Sequence, residues 1–169
     1  MGHKRHLHSF AGLTHIDFNE RGHSYEHLLT TTLRVCPERA ALLEVYRRAC
    51  FNVLAHNQDD HPKNFAFTLS PGKEFIPSPA FDLVFTETED AGGHWMSING
   101  QNLSIRKDDL IRLGEKFNLR NSEIQDTLGA VIDGVARFEQ IAKEEQLGSG
   151  WTHTIKQRLA AIRNRVEGR

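Results

Sequence analysis

The stretch Glu38-Arg-Ala-Ala-Leu-Leu-Glu-Val-Tyr-Arg-Arg-Ala-Cys-Phe-Asn-Val-Leu-Ala-His-Asn-Gln-Asp-Asp-His-Pro-Lys-Asn-Phe-Ala-Phe-Thr-Leu69 decides how this chain is read. Its first half repeats apolar residues at helical spacing: Ala41, Leu42, Val45, Tyr46, Ala49, Cys50, Val53 and Leu54 share one face. Pro37 stands where a first helical residue is welcome, and Glu44, Arg47 and Arg48 fall on the opposite, solvated face. The helix is the strongest core element in the sequence. It delivers a polar loop, residues 56–64, and a short strand leaves that loop at Asn64–Leu69. Ser70-Pro-Gly-Lys73 is a turn signal, and Glu74–Ile76 can return as a partner strand. A loop dense in Asp, His, Lys and Asn between two rigid elements is how a fold presents chemistry.

Outward from this centre the chain reads as mainly helical. Residues 1–23 are rich in His and Gly and read as loops with one short strand. Ser24 is a fair N-cap for a helix with Leu28, Leu29, Thr32 and Leu33 on one face. Pro77 and Pro79 stop regular structure before Ala80-Phe-Asp-Leu83. Residues 86–93 read as an acidic mobile loop and His94–Ile98 as a further strand, ended by Asn99-Gly100. A short helix covers 107–117. Ser122 and Gln125 fit a capping box opening a long helix with Ile124, Leu128, Val131, Val135, Phe138 and Ile141 in one stripe. A last helix presents Trp151, Ile155, Leu159, Ile162 and Val166, with Trp151 as its anchor to the core. Arg163, Arg165 and Arg169 read as solvated helix charges. The expectation is one mainly α (α+β) domain over residues 1–169.

Composition narrows the function. The 169 residues are 38% hydrophobic, which suits one globular domain and not a disordered chain. Lys plus Arg is 21 against 22 for Asp plus Glu, a net charge of −1, which argues against direct DNA binding or an anionic membrane as the main partner. No apolar run is long enough to cross a bilayer and no signal-peptide core is present. Cys36 and Cys50 lie in no metal or redox spacing, so a cytoplasmic location is expected.

Asp59 and Asn64 stand in the spacing D-x-x-x-x-N. Phosphoryl-transfer enzymes of the protein-kinase type use this spacing: the Asp orients the acceptor hydroxyl and takes its proton, and the Asn carbonyl turns back to Mg²⁺. A second Mg²⁺ carboxylate belongs after the hairpin, where Asp82 stands in Ala80-Phe-Asp-Leu83. The register also admits Asp60, but the distance to Asn64 favours Asp59. An ordinary polar loop whose Asp residues cap local backbone is the bland alternative, and it weakens once Asn64 and Asp82 are counted. His3, His6 and His8 invite a zinc reading, yet no H-E-x-x-H or C-x-x-C accompanies them, and an exposed or structural role fits better. His94 reads equally as a packed strand residue or as one that approaches the loop.

The stretch Phe51–Phe65 resembles the catalytic loop of HipA-family Ser/Thr kinases, toxins of bacterial toxin–antitoxin systems. Ser78-Pro-Ala-Phe-Asp-Leu83 is similar to their metal-binding motif, which more often has Tyr before the Asp. His94-Trp-Met-Ser-Ile-Asn-Gly100 is similar to a third motif, and Arg5-His-Leu-His-Ser9 resembles the start of the family's C-terminal half. The resemblance runs through about the whole chain. It implies a protein-kinase-like C-lobe using ATP and Mg²⁺, with Asp59 and Lys63 in catalysis, His61, Phe81 and Asp82 beside the nucleotide, and Asn64 and Asp82 on the metal. It also implies a protein substrate, an aminoacyl-tRNA synthetase in the best-known members, and a helix-turn-helix antitoxin as partner. No G-x-G-x-x-G or V-A-I-K-like strand is present, so the N-lobe is expected to be absent from this chain, whether as a truncated product, a cut piece or one half of a split enzyme, and the isolated chain is expected to be inactive without one. Two rival readings stay open: a non-catalytic remnant or subunit that binds an antitoxin or a separate N-lobe, and a metal-dependent phosphohydrolase.

Overall fold

Helix α3, Arg39–Leu54, is the spine of the computed structural model, which describes residues 5–70, 72, 74–86 and 93–168. All eight residues of its apolar stripe are buried. It packs against α2 (Tyr25–Val35) on one side and α5 (Asn121–Ala136) on the other. Ser24 caps α2, its Oγ accepting from the His27 N–H at 3.2 Å. Leu28 and Leu29 are buried there, but Leu33 lies exposed at the rim of the face. Helix α3 starts two residues after Pro37, because Glu38 holds an extended backbone (φ −70°, ψ 132°) and acts as N-cap.

The chain end before α2 is more ordered than its composition suggests. β1 (Leu7–Ser9) leads directly into a short helix α1 (Phe10–Thr14), capped by Ser9 Oγ on the Gly12 N–H at 3.1 Å. After α3 the loop closes with a 3₁₀ turn, Pro62–Asn64, and then β2 (Ala66–Leu69) and β3 (Phe75–Pro77) form the expected hairpin. The hairpin is part of a three-stranded antiparallel sheet ordered β1-β2-β3, with His8 opposite Phe67 and Thr68 opposite Ile76. The sheet therefore grips the loop's exit from both edges.

Residues 94–98 do not form the expected strand. They cross the loop as an irregular segment with single bridges, Ser97 to Ser24 and Ile98 to Gln101. Asn99 and Gly100 both have positive φ (49° and 76°), the type I′ geometry that Asn-Gly favours. The acidic stretch expected to be mobile falls mostly on residues 87–92, outside the described residues.

Helices α4 (Lys107–Lys116), α5, α6 (Phe138–Glu144) and α7 (Ser149–Glu167) complete the molecule. The start of α5 is closed by Glu123, whose Oε2 accepts from the Arg120 N–H at 2.7 Å, and not by Ser122 and Gln125. The expected single helix is broken at Arg137 into α5 and α6, and Ile141 is exposed. Trp151 does not anchor α7. It is 70% exposed, and only the helix's C-terminal half, through Ile162 and Val166, enters the core. Arg165 on the same helix is half-buried, and burial lowers its pKa. Arg48 is buried as well, donating to Glu44 at 3.0 Å and to the Ser78 carbonyl at 2.5 Å. It thus ties α3 to the start of the Ser78–Leu83 segment.

Candidate active site

The loop between α3 and β2 turns at His56, whose φ of 57° reverses the chain after the last helical turn. The segment Asp82–Thr86 is laid beside it. The Gln58 N–H donates to the Thr86 carbonyl at 3.3 Å and the Thr86 N–H to the His56 carbonyl at 3.0 Å. Asn57 Nδ2 approaches the Asp82 carbonyl at 3.5 Å. Asp82 itself sits at φ 55°, a left-handed conformation that Asp tolerates better than most residues. Two stretches separated by a hairpin in sequence are therefore neighbours in space.

The two adjacent aspartates face opposite environments. The Asp59 side chain is 49% exposed, with His61 Nε2 at 3.9 Å from its Oδ1. Asp60 has no exposure and its carboxylate is fully engaged. Oδ2 accepts from the Tyr25 hydroxyl at 2.6 Å and faces His94 Nδ1 at 3.1 Å. Oδ1 accepts from the Trp95 N–H at 2.7 Å and the Met96 N–H at 3.3 Å. Asp60 has no capacity left for a substrate hydroxyl, whereas Asp59 has. His94 approaches the loop; it is not merely a packed strand residue. Gly93 makes that approach possible: its φ is 70°, and a Cβ there would stand 2.2 Å from the Asn102 carbonyl oxygen.

Asn64 closes the loop on itself, its Nδ2 donating to the Asp59 carbonyl at 2.9 Å. This commits the amide's N–H end and leaves its carbonyl oxygen as the end offered to a cation. The Asp82 carboxylate is exposed and has no ion-pair partner among the described residues. No three His, Cys, Asp or Glu side chains converge among those residues. The donor set on offer is one carboxylate and one amide oxygen, which fits Mg²⁺ held jointly with phosphates and water and does not fit an all-protein cage. His6 and His8 stack on one another, ring centroids 5.9 Å apart, and His3 lies outside the described residues.

Lys63 is exposed, its ammonium 3.2 Å from the centroid of the Phe18 ring. His61 stands between Phe18 and Trp95, at 6.0 and 6.3 Å between centroids, and the Arg21 guanidinium covers Trp95 at 4.9 Å. Phe81, next to Asp82, is 41% exposed. The loop's outer face is thus a mixed cationic and aromatic surface around Asp59. An apolar cleft of about 240 Å³ between α5, α6 and α7, lined by Leu54, Val135, Phe138 and Leu159 among others, includes no residue of the 56–64 loop.

Sequence reasoning did not single out Tyr25, Asn52 or Asn57, which are all buried, the first two beneath the loop and Asn57 on its inner side. Asn52 carried a usable signal: it is a polar residue at an apolar-face position of α3, one turn after Ala49.

Three comparisons bear on these features. A family model described as HipA-like C-terminal domain matches residues 2–138. No curated protein matches the chain. Among solved structures, the fold is similar to a HipA chain from a complex described as the Shewanella oneidensis MR-1 toxin–antitoxin system HipA, HipB and its operator DNA. The TM-score is 0.74 and the identity 21%, over 96% of this chain and 44% of that one. The likeness establishes the fold, and this chain spans less than half of the length of that HipA chain.

Proposed function

The chain belongs to the HipA-like C-terminal domain family, and from that premise we propose that it is the catalytic lobe of an ATP- and Mg²⁺-dependent protein Ser/Thr kinase of the toxin–antitoxin kind. The observation that carries the reading is the contrast within one loop: Asp59 is half-exposed beside Asn64 while Asp60 is buried, and the Asp82 backbone lies against Asn57 of the same loop.

In this reading Asp59 receives the proton of the acceptor hydroxyl as the hydroxyl oxygen bonds to the γ-phosphorus of ATP, the bond from that phosphorus to the β,γ-bridging oxygen breaks, and ADP leaves. Asn64 Oδ1 and the Asp82 carboxylate would hold Mg²⁺, which would supply charge neutralisation on the transferred phosphoryl group. His61 and Phe81 lie beside the nucleotide, and Lys63 meets phosphate charge. Positioning and electrostatic stabilisation carry the rate, since little covalent chemistry falls to the protein. The acceptor is a protein hydroxyl, with an aminoacyl-tRNA synthetase as the substrate class the family suggests. A helix-turn-helix antitoxin is the regulatory partner, and DNA is met only through it. The lobe acts together with a nucleotide-covering N-lobe.

Calorimetry with Mg²⁺–ATP tests the reading directly. Wild-type chain binds, Asp82→Ala weakens binding by about tenfold or more, and Asp59→Asn binds normally while abolishing phosphoryl transfer in an enzyme completed with an N-lobe. Absence of binding by the wild type, or indifference to Asp82→Ala, overturns the reading and leaves a non-catalytic, partner-binding module in its place. Phosphatase activity with Mg²⁺ and no ATP would point instead to a phosphohydrolase.

A further inference from the structure

Beneath the loop runs a continuous chain of buried polar side chains. Asn57 Nδ2 donates to Asn52 Oδ1 at 3.1 Å, and Asn52 Nδ2 to the Tyr25 hydroxyl at 2.9 Å. Tyr25 then donates to Asp60 at 2.6 Å, and Asp60 faces His94 Nδ1 at 3.1 Å. Each of the five residues is 2% exposed or less. One end of the chain lies at the Asp82 carbonyl, 3.5 Å from Asn57 Nδ2, and the other at the Trp95 and Met96 backbone.

We propose that Asp60, acting through Tyr25, Asn52 and Asn57, is a positioning residue that sets the Asp59 loop and the Asp82 segment in register with each other. The proposal rests on the kinase reading of Asp59 and Asp82 for its functional meaning. It does not need that reading for its geometry.

Apolar residues of similar volume would fill this space at comparable or better stability. Five buried polar side chains, each with at least one hydrogen-bond partner though Asn57 Oδ1 and His94 Nε2 have none among the described residues, are instead a device for fixing geometry, because polar groups in low dielectric tolerate few alternative arrangements. The chain has a defined direction. Tyr25 keeps its proton, since burial first and the Asp60 carboxylate second push its pKa well above the ordinary value. It is therefore a permanent donor to Asp60 and an acceptor for Asn52. Asp60 joins three segments at once: its own loop, α2 and residues 94–96. Asp59 is covalently next to it, so the direction in which Asp59 faces solvent follows from how Asp60 is held.

The test compares two isosteric deletions in the full chain. Tyr25→Phe cuts the network at its centre. Tyr46→Phe removes an equally buried hydroxyl, which donates to the Leu110 carbonyl at 3.1 Å and belongs to no part of the network. Amide hydrogen exchange is read at Trp95, Met96 and Thr86, and Mg²⁺–ATP affinity by calorimetry. Tyr25→Phe is expected to speed exchange at those three amides by roughly tenfold or more and to weaken Mg²⁺–ATP by a similar factor, with Tyr46→Phe doing neither. If Tyr25→Phe fails to fold, Asn52→Leu replaces it. That change separates Asn57 from Tyr25 and is expected to speed exchange at Thr86 without affecting Trp95. Unchanged exchange at Thr86 in either variant overturns the proposal, even if Mg²⁺–ATP binds in an Asp82-dependent way. Faster local exchange with no Mg²⁺–ATP binding by any protein sustains the positioning role and overturns the kinase reading alone.

Discussion

Asp59 and Asp60 are chemically identical neighbours, and the structure assigns them opposite consequences on truncation. Asp60→Ala removes the acceptor for four donors: the Tyr25 hydroxyl, the His94 ring, and the Trp95 and Met96 N–H groups. Trp95 N–H retains the Gln58 carbonyl at 3.1 Å, so three donors lose their main partner in a dry site. An unsatisfied buried donor costs about 1–3 kcal/mol, and partial entry of water into the space vacated favours the lower half of that range. The sum is about 3–6 kcal/mol, a large share of the roughly 5–15 kcal/mol that holds a domain together. For a domain of this size that corresponds to a fall in Tm of roughly 10–20 °C. Asp59→Ala removes a half-exposed carboxylate whose nearest cation candidate is His61 at 3.9 Å, so stability should change by no more than about 0.5 kcal/mol. Thermal and urea unfolding followed by circular dichroism measure both, and Mg²⁺–ATP-dependent phosphoryl transfer by an enzyme completed with an N-lobe supplies the reciprocal readout. The expected pattern is a double dissociation: Asp60→Ala loses the fold first, and Asp59→Ala loses transfer with the fold intact. Equal stability of the two variants, or a greater loss in Asp59→Ala, would refute the division of labour.

Three further outcomes follow from individual sites. The Glu123 carboxyl is held well below the usual carboxylate range by its hydrogen bond to Arg39 and then by Arg120. Its stabilising contribution is therefore present above the ordinary value of 4.5 and fades as pH falls below it, so the stability gap between wild type and Glu123→Gln, measured by urea unfolding, should be smaller at acid pH than at neutral pH. Burial pushes the Cys50 thiol up to about 12, and Cys36 is also buried; a disulfide-exchange reagent at mildly alkaline pH should label neither in the native protein and both after guanidinium unfolding, and rapid native labelling would contradict the packing around α3. Trp151→Ala should leave Tm within about 2 °C, because the ring is 70% exposed; a larger loss would mean that the N-terminal half of α7 is packed.

The parts of the fold that were legible in the sequence are those whose stabilisation is local and periodic. Helix α3 is legible because its stripe runs unbroken for four turns, and the hairpin because a Pro-Gly turn separates two short apolar runs. Helix α1 was not, since five residues show too little periodicity and only the Ser9 cap marks its start. β1 was legible only as an unplaced strand: its Leu7 is exposed, and its place comes from backbone pairing with β2, far along the chain. Trp151 and Arg48 mislead for the same reason in opposite directions. A stripe continues along α7 beyond the point where the core ends, and a charged residue on the outer face of α3 is roofed over by the Ser78 segment. In both cases the decisive neighbour comes from another part of the chain.

The site divides along the same line, and the division has a physical cause. Asp59 and Asn64 are five residues apart on one loop, so their spacing could be read as one motif, and the structure adds that the Asn64 amide returns to the Asp59 carbonyl. Asp82 needed one further step, the hairpin, and the pairing of Thr86 with residues 56–58 supplies it. The network under the loop is built from Tyr25, Asn52, Asn57, Asp60 and His94, with bonded pairs up to 35 residues apart joined only by the tertiary fold. Pattern reading weighs each against its sequence neighbours and so treats Tyr25 as core and Asp60 as a second copy of Asp59. What separates them is the number of donors that reach each carboxylate. For Asp60 that number is four, contributed by α2 and the 94–96 segment. A loop that presents one aspartate to solvent needs the next one held, and here the holding residues lie where one-dimensional periodicity has no means of finding them.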